Sequence, residues 1–278
     1  MWKGAQAMED FDEDALGEAY ERALKLEKAG RTDEAAEAWR EVLRLDPADH
    51  GGAAIRLAAL GKGDVPDKAP DAYVETLFDQ HAEAFDDILV EQLGYAIPLQ
   101  LLQALRDHAP GPFARGLDLG CGTGLTGSAL NGMVADFIGV DISENMVELA
   151  DERDVYDGLY VAEAVDFVEN VEDEAPFDII CATDVMPYLG DLERVTAGVA
   201  ARSNPGAIFA FSTETLRADK IGTRGFTVTP KHRFAHSPRY LEEVLARHGF
   251  AIIHIEDVTV RMDEGEPIPG HLVLAQKG

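Results

Sequence analysis

A chain of 278 residues, 46% of them hydrophobic, can hold one large domain or two modest ones around a substantial core. Its formal net charge of −28 repels phosphate backbones, so no nucleic-acid substrate is expected. No apolar run reaches the ~18 residues of a membrane helix, and the first residues lack the basic-then-apolar order of a signal peptide. No membrane association is expected, therefore, and the reading is a cytoplasmic protein. Its two cysteines, Cys121 and Cys181, read as small buried hydrophobes. No Cys pair or His cluster has metal-ligand spacing, so no metal is expected. The charge is uneven: residues 71–215 are strongly acidic and contain no lysine, whereas residues 216–278 are close to balance.

The first segment reads as helices over 15–30, 31–49 and 52–60. Ala35, Ala36, Trp39, Val42 and Leu43 share one helical face, Gly30 suits an inter-helix turn and Pro47 a stop. With small, aromatic and apolar residues at those positions, this stretch resembles a tetratricopeptide repeat. A solenoid needs about three such units to bury its faces, so this one is expected to pack on the main body or on a protein partner. The proposed division is a helical segment over 1–62, a linker over 63–72 containing Pro66 and Pro70, and a main domain over 73–278. The main domain opens with Tyr73, Val74, Leu77, Phe78, His81, Phe85, Ile88 and Leu89 at helical spacing in 71–95.

From residue 114 strands and helices alternate. Strands are expected near 115–119, 134–140, 158–162, 177–182 and 206–212, with helices near 123–131, 143–152, 164–170 and 191–202 between them. After a helix at 237–248 come strands near 250–260 and 271–276. MDEGEPIPG joins those two and leaves no room for a crossover helix, so they pair as an antiparallel hairpin. The fold class is α/β: a Rossmann-like seven-stranded sheet with a C-terminal antiparallel hairpin, preceded by a small α-helical repeat segment.

The stretch GLDLGCGTGLTGSAL, 116–130, contains two overlapping glycine patterns. GTGLTG matches the dinucleotide fingerprint, but that register puts Gly120 at the strand end, where glycine weakens the strand. The register DLGCGTG ends the strand at Leu119 and leaves Gly120, Gly122 and Gly124 as the loop. It gives Asp118 a positive, amino-bearing ligand to meet, and Asp141, at the end of the second strand, a pair of ribose hydroxyls. A ligand without a pyrophosphate needs no helix N-terminus to hold one.

On DLGCGTG, Asp141, VAEAVDF (161–167) and FDIICATDVMPYLGDL (177–192), residues 71–278 resemble the class I S-adenosylmethionine-dependent methyltransferases. LFDQHAEAFD and RFAHSPRY are similar to a subfamily bearing an N-terminal tetratricopeptide-like segment. The resemblance implies S-adenosyl-L-methionine as cofactor, held by Asp118, Gly120, Cys121, Gly122, Gly124, Asp141, Ile142 and Met146. It further implies that Glu163 and Ala164 contact the adenine and that Ala182 lies beside the methionine moiety. The family usually carries Asp where this chain has Glu163. Tyr73, Phe78 and Phe85 are the implied lid residues.

The acceptor pocket is expected beyond the carboxyl ends of the strands, with Tyr188, Glu214, Arg217 and the 221–240 insertion at its rim. His236 or Tyr188 is the expected base. The insertion is basic in an acidic chain. Arg224, Arg233 and Arg239 form either an anion clamp for the substrate or salt bridges that neutralise the body. The fourth strand lacks the Asn/Asp-Pro-Pro-Tyr/Phe tetrad typical of amino methyltransferases acting on bases or glutamine. The expected function is methylation of a small, anionic metabolite. The alternatives are a protein methyltransferase recruiting its target through the N-terminal helices, and a non-catalytic adaptor that keeps the cofactor fold.

Overall fold

The computed structural model describes residues 13–82, 93–171 and 175–278. Three helices come first: α1 (Glu13–Lys28), α2 (Thr32–Leu45) and α3 (Ala53–Ala59). The apolar face expected on α2 is buried, with Ala35, Trp39 and Val42 fully enclosed. Tyr20 meets Trp39 edge to face at 5.3 Å, and the Trp39 indole N–H donates to Glu27. The unit packs on the main body. Ile55 and Ala58 of α3 join the principal core, and a fully buried Ile contributes roughly 1.5–3 kcal/mol. His232, far along the chain, lies 3.2 Å from Glu27.

Next come α4 (Asp71–His81) and α5 (Ile97–His108). The expected helix over 71–95 is seen as α4, and Phe85, Ile88 and Leu89 lie outside the described residues. α5 answers to no expected element. It starts at Ile97 with Pro98 in its first turn, where a missing N–H costs nothing, and it buries Leu101, Ala104 and Leu105.

The alternating region follows: β1 (Phe113–Leu119), α6 (Leu125–Ala129), β2 (Val134–Asp141), α7 (Glu144–Asp151), β3 (Gly158–Val161), α8 (Ala164–Asn170), β4 (Phe177–Ala182), α9 (Glu193–Arg202) and β5 (Ser203–Glu214). A 3-10 turn over Met186–Tyr188 lies between β4 and α9. The chain closes with α10 (Ala218–Ile221), β6 (Phe226–Val228), β7 (Phe234–His236), α11 (Pro238–Arg247), β8 (Phe250–Asp263) and β9 (Glu266–Lys277). Ser237 caps α11, its hydroxyl accepting from the Tyr240 N–H, with Pro238 at the first position.

The parallel strands run β3-β2-β1-β4-β5. β9 pairs antiparallel with β5 and β8 antiparallel with β9, which is the expected terminal hairpin. The seven expected strands gain two short ones from the 221–240 insertion. β6 and β7 form an antiparallel hairpin, and β7 pairs parallel with the end of β5 at Glu214↔Ala235. Successive residues of the central strands face opposite sides of the sheet. Ile180, Ala182, Phe209 and Phe211 enter one core, while Ile179, Cys181, Ile208 and Ala210 enter the other. Helices cover both faces, as a mostly parallel sheet requires. The strand order reverses between β1 and β4, which places a crevice beyond their carboxyl ends. Among the described residues no helix is long and apolar enough to cross a membrane.

Candidate active site

The crevice at that switch point is a cleft with about 890 Å³ of empty space, counted out to solvent. Its floor is the loop after β1. Gly120, Gly122 and Gly124 all have positive φ, at 65°, 52° and 89°, a conformation in which a side chain is strained. A Cβ on Gly120 would stand 2.4 Å from the Val185 side chain, whereas one on Gly122 would meet nothing within 4 Å. The Gly122 backbone is therefore open to close approach by a ligand.

Asp141 ends β2 beside this loop. One carboxylate oxygen accepts the Gly122 N–H at 2.8 Å and the other the Ser143 N–H at 3.0 Å. Burial raises its pKa, and these backbone donors oppose the rise. Cys121, Ile142, Glu163 and Ala164 also line the cleft. Glu163 caps α8, with Oε2 accepting the Asp166 N–H at 2.8 Å, and its Oε1 lies 3.7 Å from Lys68 Nζ. The opposite wall is built by Lys68, Ala69, Asp71, Val74 and Phe78. The Ala69 N–H donates to the Tyr188 carbonyl at 2.8 Å, and Phe78 meets the Tyr188 ring edge-on at 5.4 Å. α4 is anchored at its far end by the Ser143 hydroxyl, which donates to Asp79.

Five residues expected at the cofactor do not line the cleft. Asp118 is fully buried beneath the loop. Its Oδ2 accepts from the Tyr156 hydroxyl at 2.6 Å, and that hydroxyl accepts the Gly127 N–H at 3.2 Å. Burial raises the Asp118 pKa to about 7, and Oδ1 has no hydrogen-bond partner among the described residues. Gly124 caps α6, packed against Arg153 and Tyr156. Met146 and Ala182 are fully buried in the layers below. Tyr73 lies against Gly52 of the N-terminal unit instead. Phe85 falls outside the described residues.

The end of the cleft beyond β4 is lined by Tyr95, Thr126, Thr183, Asp184, Val185 and Tyr188. The Thr126 and Thr183 hydroxyls share a hydrogen bond of 2.8 Å. Behind this wall runs a charge network. The Arg233 guanidinium, delivered by the β6–β7 hairpin, donates to Asp184, to Glu214 at 2.6 Å and to the Tyr188 hydroxyl at 2.6 Å. Arg261 donates to the same Glu214. Glu214, expected at the rim, is thus buried and doubly paired, while Arg217 is exposed and pairs with Asp219.

The expected catalytic and clamp residues fall in different places. Tyr188 lines the cleft, but burial raises its phenol far above the usual range, so it is a poor base. His236 is fully buried, with Nε2 against the Gly190 carbonyl at 3.1 Å, and lies away from the cleft lining. Burial lowers its pKa to about 4. Arg233 is committed to Asp184, Glu214 and Tyr188. Arg224 pairs with Asp67 and stacks on Phe226 at 4.3 Å. Arg239 pairs with Glu243 one turn along α11. Of the two roles open to these arginines, all three make salt bridges, and neither Arg224 nor Arg239 reaches the cleft. Lys68 and Tyr95, which no sequence motif marks, and Thr126 and Asp184, which lie within quoted motifs but were given no role, also line the cleft.

Residues 89–255 match the methyltransferase domain family. The chain belongs to this family, whose fold here is that of the class I S-adenosylmethionine-dependent methyltransferases. Among curated proteins it is similar to the ubiquinone biosynthesis O-methyltransferase of Methylococcus capsulatus, 30% identical over 42% of this chain and 49% of the relative. It is also similar to the protein of that name from Xylella fastidiosa, 27% identical over 69% of this chain and 84% of the relative. The chain thus spans about half the length of the first and most of the second. Among solved structures it is similar in fold to an S-adenosylmethionine-dependent methyltransferase from Clostridium acetobutylicum. The TM-score is 0.52 at 15% identity, covering 73% of this chain and 99% of that one. The N-methyltransferase NodS from Bradyrhizobium japonicum, in complex with S-adenosyl-L-homocysteine, is similar with a TM-score of 0.50 at 15% identity, covering 65% and 85%.

Proposed function

We propose that this chain transfers the methyl group of S-adenosylmethionine to a hydroxyl oxygen of a small, uncharged molecule. The observation that carries this reading is the open Gly122 backbone beside the Asp141 carboxylate, in one cleft whose far end sets Val185 and the rings of Tyr95 and Tyr188 beside Thr126, Thr183 and Asp184. The residues present fit the cofactor. Asp141 offers a carboxylate to a ribose diol, Ala164 and Glu163 line the same cleft and are assigned to the adenine in this reading, and the Gly122 cradle has room a side chain would fill. When bound, S-adenosylmethionine supplies an electrophilic methyl group on a sulfonium.

The chain's own work is alignment and exclusion of water. Phe78 and Val74 cover the cleft from α4, and Phe78 presses on Tyr188. Acid dominates the lining, with Asp71, Asp141, Glu163 and Asp184 against Lys68. That balance suits a sulfonium cofactor and disfavours the anionic acceptor anticipated from the arginines. The names of the curated relatives support oxygen as the methylated atom. In this reading residues 73–278 carry the chemistry, the 63–72 linker lends Lys68, Ala69 and Asp71 to the cleft wall, and the helices of 1–62 brace the body. Recruitment of a protein target is weakened because α3 spends its apolar face inside the chain.

The test is calorimetry followed by labelling. Micromolar binding of S-adenosylmethionine, with none of a nicotinamide dinucleotide, supports the reading. Labelled methyl groups should then appear in a metabolite extract rather than in cell protein. Label confined to protein refutes the small-molecule acceptor.

A further inference from the structure

Resting on that reading, we propose that Asp184 grips the hydroxyl group of the acceptor and takes its proton. Asp184 stands just beyond the carboxyl end of β4, in the wall of the cleft. Its φ is +60°, a left-handed conformation that is strained for a non-glycine residue and persists where its surroundings impose it. Here they do: the Asp184 N–H donates to the Ser212 hydroxyl at 2.9 Å, and Oδ1 accepts from Arg233. The other carboxylate oxygen accepts no hydrogen bond from a described residue. The side chain keeps 15% of its surface accessible, beside the apolar walls made by Val185 and Tyr188.

The charge around it is balanced. Glu214 is shared by Arg233 and Arg261, so these two arginines meet two carboxylates and neither is left over for an anionic acceptor. A neutral molecule carrying a hydroxyl on an apolar body satisfies the one uncommitted oxygen. In the reaction the acceptor O–H bond breaks and its proton passes to Asp184. The acceptor oxygen's lone pair forms the bond to the methyl carbon, and the electrons of the broken C–S bond stay on sulfur, which ends as a neutral thioether. Burial raises the Asp184 pKa, which favours acceptance of that proton.

The test uses the full chain loaded with S-adenosylhomocysteine and two probes, 4-nitrophenol and its methyl ether 4-nitroanisole, titrated where the phenol is protonated. Asp184→Asn keeps the shape, and asparagine tolerates the left-handed backbone. Wild type is expected to bind 4-nitrophenol about 10-fold tighter than the Asn variant, the worth of one charge-assisted hydrogen bond. 4-Nitroanisole should bind both alike, and S-adenosylhomocysteine affinity should not change. Equal 4-nitrophenol affinity in the two proteins, or no binding by loaded wild type, overturns the proposal. Failure of wild type to bind S-adenosylhomocysteine instead sinks the methyltransferase reading beneath it. Should the Asn variant lose the cofactor product, Asp184→Gly, which also suits the backbone, carries the same comparison.

Discussion

Two alanine substitutions in the loop after β1 should separate stability from binding. Gly120→Ala forces a Cβ to within 2.4 Å of the Val185 side chain at a φ of +65°. The left-handed backbone costs roughly 1–2 kcal/mol, and overpacking adds about 1–3 kcal/mol. Val185 borders the cleft and has room to yield, so a total of ~2–4 kcal/mol is expected. Gly122→Ala carries only the backbone cost of roughly 1–2 kcal/mol, because its Cβ meets nothing. That Cβ occupies the space a ligand needs, so S-adenosylhomocysteine affinity should fall at least ~10-fold, or 1.4 kcal/mol. Urea unfolding reads the first effect and calorimetry the second. Adding Val185→Ala to Gly120→Ala should recover about 1 kcal/mol or more as a coupling energy, and should do nothing for Gly122→Ala. If Gly122→Ala binds like wild type while Gly120→Ala is fully stable, the loop does not have this geometry.

Four further outcomes are expected. Arg233→Met leaves Asp184 without its cation while Glu214 keeps Arg261. A loss of ~2–4 kcal/mol in urea unfolding should follow, at the lower side of a broken buried pair because Asp184 is partly exposed. His236 is held at about 4 against 6.5 unfolded, so its neutral form stabilises the fold fully above pH 6.5. That contribution, up to roughly 3 kcal/mol, fades as pH falls toward 4, and His236→Gln should flatten this acid limb without changing the pH profile of turnover. Asp118, raised from 3.8 to about 7, has the opposite sign: stability is complete below 3.8 and declines as pH rises through 7. Asp118→Asn should therefore raise the melting temperature at pH 8 more than at pH 5. Deleting residues 1–62 removes Ile55 and Ala58 from the principal core and the Gly52 contact of Tyr73. The truncated protein should melt lower and bind a hydrophobic dye, and a melt matching the full chain would show that the helices lend no support.

The glycine loop, the carboxylate of Asp141 and the terminal hairpin were legible because each leaves a local mark: alternating glycines, an acid at a strand end, a turn too short for a crossover. α5 was not, since IPLQLLQALRDH has its start set by one proline and no polar cap. β6 and β7 are three residues each, too short for a period-2 pattern to show, and their loop carries the basic residues that drew a charge-based reading instead. Asp184 is one of 52 acidic side chains. What distinguishes it is a backbone angle and a guanidinium from a hairpin late in the chain, and neither is written in the residues around it. The basic cluster was visible, but whether it faces a substrate or its own acids depends on tertiary pairing.

The docking of α3 has a consequence for synthesis. Ile55 and Ala58 leave the ribosome early, yet the β6–β7 hairpin and the rest of the body they pack on are made only after most of the chain has followed. Until then the α3 face that carries Ile55 and Ala58 has no cover, and exposed apolar surface of that kind is where premature aggregation begins.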